Sequence, residues 1–459
     1  MRALDDTICA VATPPGEGGI AIVRVSGPRA LDVARGLLRK ANGSELSLEP
    51  RYATLANVVT PGNNRIIDEV IALLMVAPRS YTREDVLELQ CHGGRAAANA
   101  VLEAMLAMGI RLAEPGEFTL RAFLRGRIDL IQAEAVADII HAQTADSLKI
   151  HEGLLQKKLS EEVSDWQRTL GDTLVHLESF LDFPEEELEL QSAEALTTPL
   201  KLVANKMKEK LESYSWGRTA REGFRVAILG LPNVGKSSLL NLLAEEERAI
   251  VSPVAGTTRD TIEVKINALG APIHLVDTAG LRASADEIEN EGVIRARRAA
   301  SEADLLLMVF DGSRDLTPEE REEARTLAEG GSFIAVINKS DLDLRPSIAV
   351  KELLGYVPLK ISAISGEGVE ELLRLLRERA WAGEGPTSEE PLTRLRHRNQ
   401  VAAALERVEQ GIALLETTEY ADAAANELQS ARRELASLLG WGTPEEIVDK
   451  IFEEFCIGK

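Results

Sequence analysis

A chain of mixed class in three parts is what this sequence predicts: an α+β domain first, then a helical domain in two pieces, with an α/β domain between the pieces. Three observations carry that reading. At 459 residues the chain is too long for one ordinary core. Its apolar periodicity switches between strand-like and helix-like stretches along its length. And residues 222–380 alternate strand and helix in the manner of a parallel sheet.

The parts follow in order. Residues 1–117 alternate strand-like runs (GIAIVRVSG, EVIALLMVAP, DVLELQCHGG) with amphipathic helices (ALDVARGLLRK, RAAANAVLEAMLAMG). Residues 118–221 carry helix-spaced Leu, Ile, Val and Ala with few glycines. After 222–380 comes the linker AGEGPTSEEP, and the helical pattern resumes within 381–459 (QVAAALERVEQGIALL, ELQSARRELASLLG, PEEIVDKIFEEF) before Cys456-Ile457-Gly458-Lys459. The simplest arrangement packs the two helical pieces together, each burying the other's apolar stripe; two separate helical domains are the alternative.

Composition narrows the class. Hydrophobic residues at 45% and charged residues at 27% give the balance of a soluble globular protein. No apolar run reaches the roughly 18 residues of a membrane span, and the opening MRALDDTICAVATPPG lacks the apolar centre of a signal peptide. Cys9, Cys91 and Cys456 form no CxxC pair, which suits a reducing, cytoplasmic setting and gives no zinc site. A net charge of −22 disfavours non-specific binding to nucleic acid. Two basic clusters, Arg121, Arg125 and Arg127, then Arg394, Arg396 and Arg398, read as solvated surface, with RNA contact as the alternative.

The chemistry concentrates in 222–380. The apolar run RVAIL leads into Gly230-Leu231-Pro232-Asn233-Val234-Gly235-Lys236-Ser237, and Ser238 continues into a helix. This is GxxxxGKS in the strand–loop–helix setting that the motif requires. Its backbone N–H groups and the helix dipole favour phosphate, Lys236 reaches the β- and γ-phosphates, and the Ser237 hydroxyl can ligate Mg²⁺. Asp277-Thr278-Ala279-Gly280 follows the strand PIHLV, where Asp277 can hold the Mg²⁺ shell and the Gly280 N–H can meet the γ-phosphate. Asn338-Lys339-Ser340-Asp341 follows FIAVI; the Asp341 carboxylate can accept two N–H groups of guanine, a pair that adenine lacks. Ser362-Ala363 sits where Ras-like proteins offer a main-chain N–H to the guanine O6. The segment Ser252-Pro253-Val254-Ala255-Gly256-Thr257-Thr258 occupies the position of a switch loop, with Thr258 as second hydroxyl ligand of Mg²⁺. A Ras-like GTPase that hydrolyses GTP with Mg²⁺ follows. After Gly280 stands Leu281, where Ras proteins have a Gln that orients water; leucine cannot do this, so another group must supply catalysis.

Four separated stretches, TPPGEGGIAIVRVSG, PGEFTLRAFLRGRIDLIQAEA, the set GLPNVGKSSLLN…AGTTRD…DTAGLR…DEIE, and the terminal FCIGK, resemble the MnmE (TrmE) family of tRNA-modification GTPases, across essentially the whole chain. The resemblance implies an N-terminal domain like folate-binding aminomethyltransferase domains, through which the protein homodimerises, a discontinuous helical domain, and an inserted G domain. It implies 5-formyltetrahydrofolate contacts at Arg24, Glu88, Arg127 and Lys459; family members often have Lys where Arg127 stands, and the two cations differ in geometry. From local sequence alone, Arg24 and Glu88 read as the exposed face of strands.

The resemblance also implies activation by potassium, held by Asn233, Ser252, Val254 and Thr257, where a cation against the phosphates offsets charge developing in the transition state. Glu289, twelve residues after Asp277, matches the family's catalytic carboxylate; from local sequence it reads as an exposed acid in the run Asp286-Glu287-Ile288-Glu289. Finally, the resemblance implies a flavin-containing, NADH-dependent partner (MnmG, or GidA). Together the two would add an aminomethyl or carboxymethylaminomethyl group to C5 of the wobble uridine of certain tRNAs. The stripe Ile447, Val448, Ile451, Phe452 and Phe455 should dock the last helix and carry the tail to a fixed place near the folate pocket, where Cys456 serves that chemistry; a disordered end or a prenylation box, for which Gly458 and Lys459 are wrong, are the alternatives. The competing readings are a regulatory GTPase that takes no part in base chemistry, and a folate-dependent one-carbon transferase timed by GTP.

Overall fold

Alternation at period two is what shapes the first half of the chain. In the computed structural model, which describes residues 5–182, 192–246, 263–277, 301–330, 333–343, 357–382, 390–417 and 421–459, the chain forms two compact units. The first comprises Met1–Ala137, Leu155–Gln167 and Arg432–Lys459. Its sheet contains β1 (Ile8–Val11), β2 (Ile20–Ser26), β3 (Leu38–Arg39), β4 (Thr54–Val59), β5 (Ile66–Met75), β6 (Val86–His92) and β7 (Arg111–Leu112), in the order β3-β4-β5-β6-β2-β1-β7. All neighbours are antiparallel except β1 and β7. Ala21, Val23 and Val25 of β2 and Leu87 and Leu89 of β6 point to one face, under α1 (Ala30–Leu37) and α2 (Arg95–Ala107), and form the core with Val101 and Met105. The intervening residues face the other way, and register sets Arg24 directly opposite Glu88. The helical pattern of ALDVARGLLRK stops early: Leu38 and Arg39 pair with Val58 and Asn57 as an edge strand instead.

On that other face lie α3 (Glu117–Leu124), the start of α4 (Leu130–His141), and α14 (Glu445–Glu453), the last helix of the chain. Leu120, Ile128, Leu130, Val448, Ile451, Phe452 and Phe455 bury one another there. After α4 the chain continues into α5 (Ala145–Leu155) and α6 (Lys158–Asp182).

At the foot of α3 sits a buried guanidinium. Arg121 is 0% exposed and donates to the Asp6 carbonyl (2.9 Å) and to the carboxylates of Asp6 (2.5 Å), Glu84 (3.2 Å) and Glu117 (2.9 Å). Arg111 forks onto Glu117 and also reaches Asp6, while Arg125 meets Glu84. Neither solvated surface nor RNA contact describes Arg121: its charge is consumed inside the unit.

The second unit, Asp138–Leu154 and Arg168–Ala431, holds a six-stranded sheet. Its strands are β8 (Phe224–Leu229), β9 (Glu263–Ala268), β10 (Ala271–Asp277), β11 (Leu305–Asp311), β12 (Phe333–Asn338) and β13 (Leu359–Lys360), in the order β13-β12-β11-β8-β10-β9. All pairs are parallel except β9 with β10. Strands buried on both faces read as continuous apolar runs, and Val226, Ile228, Leu307, Val309, Val336 and Leu275 are all buried. The flanking helices are α9 (Lys236–Glu246), α10 (Pro318–Gly330) and α11 (Val369–Ala380).

The unit also holds α7 (Ala193–Glu212), α8 (Tyr214–Glu222) and α12 (Leu395–Glu416), followed by the start of α13 (Ala421–Leu438). Helix α7 packs along α12, burying Leu200, Val203 and Met207 on one and Val401, Ala404 and Val408 on the other. Lys201–Glu416 and Lys208–Glu409, both 2.7 Å, mark the antiparallel run. Asp138 accepts from Arg394 (2.8 Å) and Arg221 (3.3 Å), so Arg394 too is a buried structural cation.

Replacing Arg121 with Met takes from the buried Glu84 and Glu117 one of the two cations each has, leaving Arg125 and Arg111, and the first unit is expected to lose roughly 3 kcal/mol in urea unfolding. Burial raises the Asp6 and Glu117 carboxyls, but hydrogen bonds outweigh it, from Arg111 and Arg121 to Asp6 and from Arg111, the Glu114 N–H and Arg121 to Glu117, and hold both below their ordinary values. Their stabilisation is therefore full above those values and lost as pH falls through the folded ones. In Arg121→Met the folded values rise toward the unfolded ones, so the acid-dependent part of the stability should shrink and the acid limb flatten; an unchanged acid limb and a loss below about 1 kcal/mol would contradict the assignment.

Candidate functional site

The carboxyl ends of parallel strands are where an open α/β sheet builds its ligand crevice. Strand β8 ends at Leu229, and the loop after it turns on Gly230 (φ 138°), Asn233 (φ 66°) and Gly235 (φ 97°). A side chain at Gly230 would run into the Val309 carbonyl, and one at Gly235 into the amide of Asn338. The loop is thus forced tight, and it delivers Lys236 to the first turn of α9. The Lys236 ammonium donates to the carbonyls of Gly230 and Leu231, both 2.7 Å. Ser237 and Ser238 stand exposed on that turn, and Asn233 is exposed before it.

Asn338, at the end of β12, fastens this loop to the next. Its Nδ2 donates to the Val234 carbonyl and its Oδ1 accepts the Ala363 N–H, both 2.9 Å, so one buried side-chain amide spans the phosphate loop and the loop after β13. Asp341 is exposed and accepts from the Ser362 hydroxyl at 2.6 Å. Lys339, with φ 65°, donates to Asp311 at 2.6 Å. Asp311 was not marked by sequence reasoning; its signal is position alone, the last residue of β11, in register with Asn338. Asp277 ends β10. Ser252, Pro253, Val254, Ala255, Gly256, Thr257, Thr258, Thr278, Ala279, Gly280, Leu281 and Glu289 lie outside the described residues.

A second constellation lies in the first unit, where the chain's end returns to β2. Val448, Ile451, Phe452 and Phe455 bury the last helix and its exit, with Ile447 left exposed, and the tail then lies down along named partners. The N–H groups of Gly116 and Phe118 donate to the carbonyls of Cys456 (3.4 Å) and Lys459 (3.1 Å). The Arg24 guanidinium donates to Glu88 (2.8 Å) and to the Gly458 carbonyl (3.2 Å). Burial first, then the nearby Arg24, pull the Lys459 ammonium below its usual range, against Glu88 and Cys456. The Cys456 side chain is exposed.

Arg24, Glu88 and Lys459 are thus brought together. Arg127 stands over the ring of Tyr81 (4.7 Å), which Arg24 also approaches (5.7 Å). Tyr81, missed in the sequence, is the plate shared by two of the cations; its hydroxyl pairs with Thr119 at 2.9 Å. Three cations, one carboxylate and the rings of Tyr81 and Phe118 can hold a flat molecule that carries carboxylate groups.

A phosphate-binding loop joined through a buried asparagine to an Asp-bearing base loop defines a guanine-nucleotide hydrolase. Comparison places it further. The profile "GTP-binding protein TrmE N-terminus" matches residues 7–127 and "MnmE helical domain" matches 130–456. Proteins named tRNA modification GTPase MnmE are 44% identical in Geobacter sulfurreducens (462 aligned residues), 42% in Heliobacterium modesticaldum (464) and 43% in Symbiobacterium thermophilum (460). Each alignment covers 99% of this chain and 99–100% of the relative. The chain belongs to the MnmE family, and it is a GTPase.

Gly458 has φ 95°, and a methyl group there would meet the Val11 carbonyl at 2.5 Å. Gly458→Ala should lift the tail off β1, so that carboxypeptidase removes Lys459 at least about tenfold faster while Tm changes little. Equal digestion of variant and wild type would show that the tail is held by other means.

Proposed function

We propose that this chain is a potassium-activated GTP hydrolase that acts on tRNA. With an FAD- and NADH-dependent partner of the MnmG (GidA) type, it adds an aminomethyl or carboxymethylaminomethyl group to C5 of the wobble uridine of certain tRNAs in the cytosol. The observation that carries the reading is the return of the C-terminal tail to Arg24 and Glu88: a chain needing only to hydrolyse GTP has no use for a tail held against the sheet of its first unit beside a cluster of cations. The domains divide as 1–117 for folate binding and dimerisation, 118–221 and 381–459 for the helical domain, and 222–380 for the GTPase.

In the nucleotide site, Asn233–Ser238, Ser252–Thr258, Asp277–Gly280, Asn338, Lys339, Asp341, Ser362 and Ala363 surround GTP. Ser237 and Thr258 hold Mg²⁺; the exposed Ser237 hydroxyl on the first turn of α9 suits that role. Asn233, Ser252, Val254 and Thr257 hold K⁺, and the exposed position of Asn233 in the phosphate loop suits that role. Both ions supply positive charge where the phosphates gain negative charge. Glu289 orients the attacking water in place of the missing Gln. At the tail, Arg24, Glu88, Arg127 and Lys459 bind 5-formyltetrahydrofolate or a related reduced folate, and Cys456 serves the modification chemistry.

Homodimerisation through the first unit is supported by an uncovered apolar face on its sheet. Leu55 and Ile71 are cross-strand partners, 64% and 40% exposed, and Tyr52 and Ile66 are exposed as well.

Two experiments test the reading. Cys456→Ser should abolish C5 modification, seen by nucleoside analysis of tRNA, while GTP turnover stays within about twofold of wild type. Full modification by that variant would reduce the tail to a packing element. Hydrolysis should be faster in KCl than in NaCl at equal ionic strength. Asn233→Ala should erase the difference with nucleotide affinity retained, and Glu289→Ala should lower turnover by about 10²-fold or more. Equal rates in the two salts would remove potassium from the mechanism.

A further inference from the structure

We propose that Asp311 is a positioning residue for guanine recognition: it pins the ammonium of Lys339, so that the lysine stem forms one wall of the base slot and leaves Asp341 free for the base. The proposal rests on reading Asn338–Asp341 as the base loop.

Lys339 follows the last residue of β12, and its left-handed backbone sets the point from which the side chain leaves the strand. A four-carbon stem samples many rotamers unless its end is held. Asp311, only 7% exposed, holds it: Oδ2 accepts the Lys339 ammonium at 2.6 Å, and Oδ1 accepts the Ser313 N–H (2.9 Å) and hydroxyl (2.6 Å). Both carboxylate oxygens are thus engaged, while the Lys339 side chain keeps 29% of its surface open. Burial raises the Asp311 carboxyl, but Lys339 and Ser313 outweigh it and keep it ionised at neutral pH.

The loop bearing Asp311 is itself braced. The Gly312 N–H donates to the Asn338 carbonyl at 2.8 Å. Thr317 and Glu320 cap α10 reciprocally, at 2.9 and 3.2 Å, and Arg314 forks onto the buried Glu320 with two bonds of 2.8 Å. A carboxylate mounted on such a loop is preorganised.

Asp341 follows Lys339 by two residues in the same loop, and a four-carbon stem left unheld can turn to it as well as to Asp311. Asp341 must stay unpaired with lysine to accept the two N–H groups of guanine. Asp311, desolvated and fixed by three hydrogen bonds, is the stronger acceptor and takes the lysine away from it. Its effect falls on binding, since both side chains belong to the base end of the site, at the end of β11 and just after β12.

The full-length protein tests this. Asp311→Asn, which keeps size and removes charge, should raise both the dissociation rate of a fluorescent GDP and the KM for GTP by about tenfold. Turnover should stay within about twofold and Tm near wild type, and Asp311→Glu should recover part of the loss. Wild-type dissociation and KM in Asp311→Asn would overturn the proposal. If that variant fails to fold, Lys339→Met decides: it should weaken GDP, and unchanged GDP affinity would overturn the proposal. In folded variants the two effects should not add, because each removes the same ion pair, and full additivity would count against it. Wild-type protein that binds ADP as tightly as GDP would instead refute the base-loop reading, whatever Asp311 variants do.

Discussion

A fully buried arginine sets the terms for the first half of this protein. Around Arg121 three cations (Arg111, Arg121, Arg125) meet three carboxylates (Asp6, Glu84, Glu117), so the network is neutral, but each member depends on the others staying in place. Such a network adds little net stability compared with an apolar core; what it does is forbid alternatives, because any shift strands a charge in low dielectric. It ties the strand-leading Asp6, the 82–84 loop and helix α3 into one arrangement. Tyr81 precedes that loop, and Gly116 and Phe118 open that helix. The plate beneath Arg24 and Arg127 and the N–H groups that receive the tail are therefore placed by a cluster that touches no ligand itself.

The nucleotide site and the tail region are built by different rules. The nucleotide loops hang from consecutive ends of parallel strands, and each is shaped by its own short sequence: glycines where the backbone must turn, a lysine folded on its own loop, a serine at a helix start. Asn338 then couples them, one amide serving two loops. The tail region has no such local logic. It needs Arg24 from β2, Glu88 from β6 and the final four residues, separated by most of the chain, and it exists only because the apolar stripe of the last helix buries itself beside α3.

Much of this was legible beforehand. The phosphate loop could be read because a contiguous motif reports a backbone that folds locally, and both sheets announced themselves through period-two and continuous apolar runs. Arg24 and Glu88 could be assigned only by resemblance, since alternation in a strand says which residues share a face and not which strand lies opposite. Charge misled at Arg121 and Arg394. A basic cluster in sequence looks like surface, and only the acids that converge from elsewhere make it interior. Tyr81 and Asp311 went unseen for a related reason: their importance lies in what stands across from them.

The amino-acid sequence by itself therefore determined the element types, the guanine-nucleotide class and the family, all properties written in short-range pattern. Tertiary structure alone decided which charges are buried, where the chain's end lies, and which side chains brace the binding residues. These depend on contacts between distant segments, whose energy is set by desolvation and pairing geometry rather than by any residue's own preference.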